Sequence, residues 1–169
     1  MNSFVSLQAP NSVAEESLMF EPDAIRSLKE KVEKLPSYSR FSSDQIEIIY
    51  CVAYSMYTQG KIESACSVFQ ILLIYRPLDI RILSAFGLCC KQLGMFEQAI
   101  PALTSAFLLD SSDVKLAVHI SECLAALGKR EESLKILEPI LQLSELEASF
   151  DNVQKRAEAL KSLMIGQSR

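Results

Sequence analysis

Three of the chain's five tyrosines stand together at Tyr50, Tyr54 and Tyr57, separated by steps of four and three. On a helix such steps stay on one face, so the spacing predicts a ridge of phenol rings. Tyrosine joins a broad apolar ring to a polar tip, which suits a surface that is wet when empty and covered when occupied. That is the chemistry of recognition, and residues for bond-making are scarce. His119 is the only histidine, which argues against most acid–base arrangements. The chain has no G-x-x-x-x-G-K-S/T, no G-x-G-x-x-G and no G-x-S-x-G. The five cysteines, Cys51, Cys66, Cys89, Cys90 and Cys123, show no C-x-x-C spacing. They read as small buried hydrophobes of a reducing compartment, with no metal site and no cofactor expected. The acids Glu63, Glu97 and Glu131 recur at helix starts, where a negative charge favours the macrodipole. The expectation is a protein that binds and does not catalyse.

The element that must carry the tyrosines is set by glycine. Gly60, Gly94 and Gly128 recur at one constant interval. Five residues after each comes a small side chain (Ala65, Ala99, Ser133), nine after a large apolar one (Phe69, Leu103, Leu137), and seven before another small one (Ala53, Gly87, Ser121). A repeat with this grammar is that of stacked helix-turn-helix units, and the interval, 34, is the tetratricopeptide (TPR) period. The predicted fold is therefore all-α: three repeats at 46–79, 80–113 and 114–147 in a curved stack. In each, helix A ends at the glycine and helix B follows. Ser42 with Gln45 reads as the capping box that opens the first. Pro101 falls early in its helix, but Pro139 lies deeper and predicts a bend.

The flanks read as follows. Residues 1–20 are rich in Ser, Asn, Gln and Glu and read as a flexible leader. Within 21–41, Pro22 opens a helix from Asp23 to Leu35 with Ile25, Leu28, Val32 and Leu35 on one face, ending at Pro36. That face must dock, on the stack or on a second copy. Residues 148–169 hold a capping helix and tail, the helix starting after Ser144 with the stripe Leu146, Phe150, Val153, Ala157, Leu160 and Met164. Charge is mild, at net -4 with no Lys/Arg block, so neither nucleic acid nor a membrane surface is an expected partner. Apolar runs such as Ile71 to Tyr75 fall far short of the ~20 residues that span a bilayer. The first residues lack the pattern of a signal peptide. The expected address is cytoplasmic.

In a curved stack, helix A lines the concave side, and its inward slots are the second, fifth, ninth and twelfth of each repeat. These are Glu47, Tyr50, Tyr54 and Tyr57; then Arg81, Ser84, Leu88 and Lys91; then Lys115, Val118, Glu122 and Ala125. The peptide-binding residues expected from this register are Tyr50, Tyr54, Tyr57, Arg81, Ser84, Leu88, Lys91, Lys115, Val118 and Glu122. Their ligand is an extended apolar peptide. A scaffold module that binds another protein is the other reading of such a groove.

The run from Ile46 to Lys61, with Ala65 and Phe69, resembles the first repeat of the class II chaperones of type III secretion systems. Val118-His119-Ile120-Ser121-Glu122-Cys123-Leu124 and the three gap-free repeat units resemble that family too. The resemblance covers about residues 40–145. It implies a bacterial cytoplasmic chaperone that holds hydrophobic translocator proteins before export. A short extended segment near the translocator's N-terminus would lie in the concave groove against Tyr50, Tyr54 and Tyr57. It also implies homodimers through the N-terminal helix. A chaperone for needle or effector subunits of the same apparatus is the neighbouring alternative.

Overall fold

The computed structural model describes residues 22–144 and 151–166. The leader at 1–20 and the early part of the last predicted helix, with Leu146 and Phe150, lie outside the described residues. Among the described residues eight helices follow one another: α1 (Pro22–Glu33), α2 (Ser43–Thr58), α3 (Ile62–Tyr75), α4 (Ile80–Gln92), α5 (Phe96–Leu109), α6 (Val114–Ala126), α7 (Arg130–Ser144) and α8 (Asp151–Gly166). None is long and apolar enough to cross a membrane. The helix pairs α2–α3, α4–α5 and α6–α7 are the three TPR units.

Each unit begins and turns by local chemistry. The Ser42 hydroxyl accepts from the Gln45 N–H at 3.2 Å, and the Gln45 side chain accepts from the Ser42 N–H at 2.9 Å. This capping box satisfies two orphan donors of α2. Asp79 and Asp113 cap α4 and α6 in the same sense. Each helix A stops two residues before its glycine, which takes φ of 79°, 75° or 77°. The residue after the glycine then donates back across the turn: Lys61 to Met56 O, Met95 to Cys90 O and Lys129 to Leu124 O, at 2.9, 2.8 and 2.9 Å. Three identical Schellman turns result, and a side chain at any of those glycines would strain the left-handed backbone.

The core follows the small-residue slots. Ala53 and Ala65, Gly87 and Ala99, and Ser121 and Ser133 are all buried, with Phe69, Leu103 and Leu137 fully buried beside them. A Cβ on Gly87 would stand 2.6 and 2.8 Å from side-chain atoms of Leu103, so α4 and α5 touch with no room between them. In the third unit the same slots are hydroxyls. Ser121 Oγ lies 2.7 Å from Ser133 Oγ, and each donates to the other's carbonyl at 3.0 and 2.9 Å. The pair satisfies itself, as buried polar groups must. Cys66, Cys89, Cys90 and Cys123 are packing residues, but Cys51 is exposed, contrary to its expected burial. It sits on the face of α2 turned away from α3.

Every helix packs on the next from α2 onward, and successive A helices (α2 with α4, α4 with α6, α6 with α8) also touch. Successive B helices meet less, so the A helices form the inner wall. The last helix, α8, occupies the place of a fourth helix A. Arg156 of α8 pairs with Glu122 at a sequence separation of 34, the same separation at which Arg81 pairs with Glu47. Lys155 is exposed in the slot that holds Ala53, Gly87 and Ser121 in the repeats.

Pro139 lies inside α7, which runs from Arg130 to Ser144. Its missing N–H would have served Lys135 O, and both residues are exposed, so water takes that carbonyl. An interior proline still costs helix stability. Pro139→Ala is expected to stabilise the protein by about 1–2 kcal/mol after allowing for the proline's restraint on the unfolded chain. Thermal melts check this, and an unchanged or lower Tm would refute it. Gly87→Ala should do the reverse. Overpacking against Leu103 outweighs the better helix propensity, with a loss of about 1–3 kcal/mol in urea denaturation.

Candidate peptide-binding groove

Ala53 turns α2 towards α3, and the tyrosines stand on the ridge beside it, at the concave side. Tyr54 is 50% exposed, and Tyr50 and Tyr57 are half-buried. The rings run as a stack, with Tyr50 and Tyr54 centroids 6.2 Å apart at 15° and Tyr54 and Tyr57 6.3 Å apart at 29°. Tyr50 leans on the core through Phe69 at 5.7 Å, and Tyr57 Oη accepts from Gln92 Nε2 at 2.8 Å. The ridge is thus anchored at both ends and bare in the middle.

The facing wall comes from α4. Tyr50, Tyr54, Tyr57, Ile80, Arg81, Ser84, Ala85, Leu88 and Asp113 enclose a cavity of 290 Å³. Six of the residues expected from the register meet there: the three tyrosines, Arg81, Ser84 and Leu88. Ile80, Ala85 and Asp113 were not anticipated, since they stand beside the inward slots, at the first and sixth places of one repeat and the last place of the same one. Arg81 closes one end of the cavity, its guanidinium 4.9 Å over the Tyr50 ring and paired with Glu47 at 2.9 Å and Asp79 at 3.2 Å.

Burial pushes the phenols of Tyr50 and Tyr57 above their ordinary 10.0, with Arg81 drawing the first partway back and the Gln92 hydrogen bond the second. These two phenols are therefore uncharged throughout the neutral range. Burial likewise pushes the Cys89 and Cys90 thiols up to about 12, which keeps them unreactive packing groups. No three His, Cys, Asp or Glu side chains among the described residues could together hold a metal ion.

The third repeat's share of the wall differs from expectation. Val118 is 1% exposed, in a cluster with Leu137 of α7 and Val153, Ala157 and Met164 of α8. It cannot touch a ligand. The reason is α8, which packs more closely on α6 than α4 does on α2 and so covers the inward slot. Lys115 is exposed, with no ion-pair partner among the described residues. Lys91 and Glu122 pair with each other, and Arg156 of α8 adds a second cation to the same carboxylate. His119 Nδ1 lies 2.7 Å from Lys91 Nζ and 3.2 Å from Glu122 Oε2. Unprotonated, that nitrogen accepts from the lysine; protonated, it donates to the carboxylate. This network ties α4, α6 and α8 together.

Burial by itself would raise the Glu122 carboxyl. Hydrogen bonds from His119, Lys91 and Arg156 outweigh that and hold it well below the usual carboxylate range. A carboxyl depressed on folding stabilises fully above its unfolded value and loses that stabilisation as pH falls through the folded one. Glu122→Gln is therefore expected to lower stability by about 1–2 kcal/mol at neutral pH, the cations being part-exposed. The deficit should shrink as pH drops below about 4.5. Denaturant melts of both proteins across that range check the sign.

No family model matches the chain. Its sequence is 29% identical over 127 residues to the low calcium response locus protein H of Yersinia pestis, across 73% of this chain and 76% of that one. Its fold matches the Yersinia enterocolitica type III secretion chaperone SycD, solved with a peptide of the translocator YopD. The TM-score is 0.69 at 25% identity, over 78% of this chain and all of that one. It also matches PcrH of Pseudomonas aeruginosa, solved with the chaperone-binding region of PopB. There the TM-score is 0.63 at 26% identity, over 72% of this chain and 98% of that one. With a tyrosine ridge on three gap-free TPR units, the chain is similar in both sequence and fold to type III secretion translocator chaperones.

Proposed function

We propose that the chain is a bacterial cytoplasmic chaperone that binds hydrophobic translocator proteins and keeps them from aggregating until a type III secretion system exports them. It grips an extended segment of the client in the concave channel of its first two repeats. The observation that carries this reading is the cavity between α2 and α4, where a stacked, uncharged tyrosine wall faces Ile80, Ala85 and Leu88. Such a wall covers apolar side chains of an extended chain while its hydroxyls and the flanking Arg81 and Ser84 serve backbone groups. The relatives support the choice of client, since SycD was solved with a peptide of the translocator YopD and PcrH with the chaperone-binding region of PopB. A translocator must later enter a membrane, so its apolar stretches are an aggregation hazard in water. Covering them needs no bond-making, so the function is holding and not catalysis.

A homodimer is part of the proposal. SycD was solved as an alternative dimer. In this chain Leu28 on α1, Leu35 just after it, and Ile48 and Val52 on α2 stand exposed and apolar. Those side chains are the surface a second copy would cover.

The test is the Tyr50→Ala, Tyr54→Ala double variant, co-expressed with the hydrophobic translocator subunit of the same bacterium. Helicity is expected to stay, and co-purified translocator to fall at least ten-fold. Because Tyr50 also leans on Phe69, Tyr54→Arg serves as a second variant that removes no core contact, with the same loss expected. Undiminished co-purification with both would remove the channel from the function.

A further inference from the structure

We infer that the channel selects its client by charge as well as by apolar fit. The bound segment carries a lysine or arginine whose stem lies along the tyrosine wall and whose cationic head meets Asp113. The inference rests on the channel reading above. The cavity of 290 Å³ is lined by three phenol rings and, from the start of α6, by the Asp113 carboxylate. Capping α6 occupies one oxygen of that carboxylate, since Asp113 Oδ1 accepts from the Lys115 N–H at 3.2 Å. The second oxygen has no hydrogen-bond or ion-pair partner among the described residues. The Lys115 ammonium does not pair with it and is not part of the cavity lining.

Charge around the cavity is unbalanced. Arg81, the cation in its lining, is already held by two carboxylates, Glu47 at 2.9 Å and Asp79 at 3.2 Å. Glu47, Asp79 and Asp113 thus stand against one guanidinium, and a guest that brings a positive charge is favoured over a neutral or acidic one. Arg81 also shows what the wall can hold. Its guanidinium lies 4.9 Å over the Tyr50 ring while it pairs with those two acids. A ring face on one side and a carboxylate on the other is a favourable setting for a cation–π contact. Tyr54, the most exposed of the three tyrosines, and Tyr57 offer further ring faces in the same cavity, with Asp113 as the acid. A basic side chain of the client repeats there the arrangement that Arg81 makes on Tyr50. Lysine and arginine meet both demands, because their methylene stems cover apolar surface while the charged head stays at the rim. Ile80, Ala85 and Leu88 take the neighbouring apolar side chains.

The test uses the full chain and the hydrophobic translocator of the same bacterium. Overlapping synthetic peptides that span the translocator locate the bound segment, and calorimetric titration measures its affinity. Each lysine or arginine of that peptide is then replaced by methionine, which keeps a long flexible stem and removes the charge. One such replacement is expected to weaken binding about ten-fold. Asp113→Asn keeps a capping side chain, so Tm should hold while binding of the unchanged peptide weakens about three- to five-fold. The same variant should flatten the salt dependence of affinity, which a purely structural role would leave alone. Made together, the two changes should weaken binding by less than the product of their separate effects, because both remove one pair. Full affinity after every methionine replacement would overturn the inference, as would unaltered affinity and salt dependence in Asp113→Asn. Either result, obtained while Tyr54→Arg still loses the translocator, leaves the channel reading standing. If Tyr54→Arg keeps full binding, the channel reading fails and the inference with it.

Discussion

How closely two backbones can approach decides the rest of this molecule. In each repeat the A and B helices meet at slots too narrow for anything beyond a hydrogen, a methyl or a hydroxymethyl: Gly87 against Leu103, Ala53 with Ala65, Ser121 with Ser133. Tight contact at those slots turns one face of each A helix to the core and sets the ridge beside it on the concave side. Only then can α2 hold three tyrosines outward without losing stability to exposed core. The approach also sets the pitch of the repeat, because each unit has the same slot, the same Schellman turn and the same large residue beyond. A wider pair would tilt α4 away from α2 and open the cavity into a flat face.

That pitch is visible again in charge. Glu47 meets Arg81 and Glu122 meets Arg156, each pair one repeat apart on the inner wall. The two pairs do different work because their surroundings differ. Glu47 and Arg81 lie half in water, where an ion pair contributes little and can open. Glu122 is flanked by two cations and an imidazole in a part-buried site, where its charge is firmly held. The pair beside the aromatic channel, Glu47 with Arg81, is therefore the softer of the two.

Much of this was legible in the residues. The glycine period, the small slots and the 3-4-3 steps of α2 are local rules, and they placed the repeats and the tyrosine ridge because nothing tertiary overrides them there. Legibility failed where a distant element intervenes. Val118 occupies an inward slot by register, yet α8, with all of α7 between them in sequence, leans over it. Arg76 carried no signal at all, since its partners are backbone carbonyls of residues 38 and 41 that any sequence would supply. Ile80, Ala85 and Asp113 were missed because a cavity is wider than a ridge, and residues flanking the inward slots reach its rim. Cys51 was taken for a core residue on the strength of its type, but type does not say which side of a helix is packed.

Tyrosine is the residue that reconciles an empty channel with a full one. An open trough of leucine or phenylalanine would be an apolar patch large enough to invite self-association. Phenol tips keep water at the surface until a guest arrives. The rings are also ordered beforehand: stacking at 6.2 and 6.3 Å, with Phe69 below one end and Gln92 beside the other, fixes rotamers that a guest would otherwise have to freeze. Preordering raises affinity without deepening the pocket, and a shallow pocket lets the guest leave. A holder that must surrender its client for export needs that combination, since tight enclosure would trade release for grip. Neutral phenols serve the same end, because Tyr50 and Tyr57 bring no charge to be desolvated when the chain enters, and charge in the lining is confined to Arg81 and Asp113.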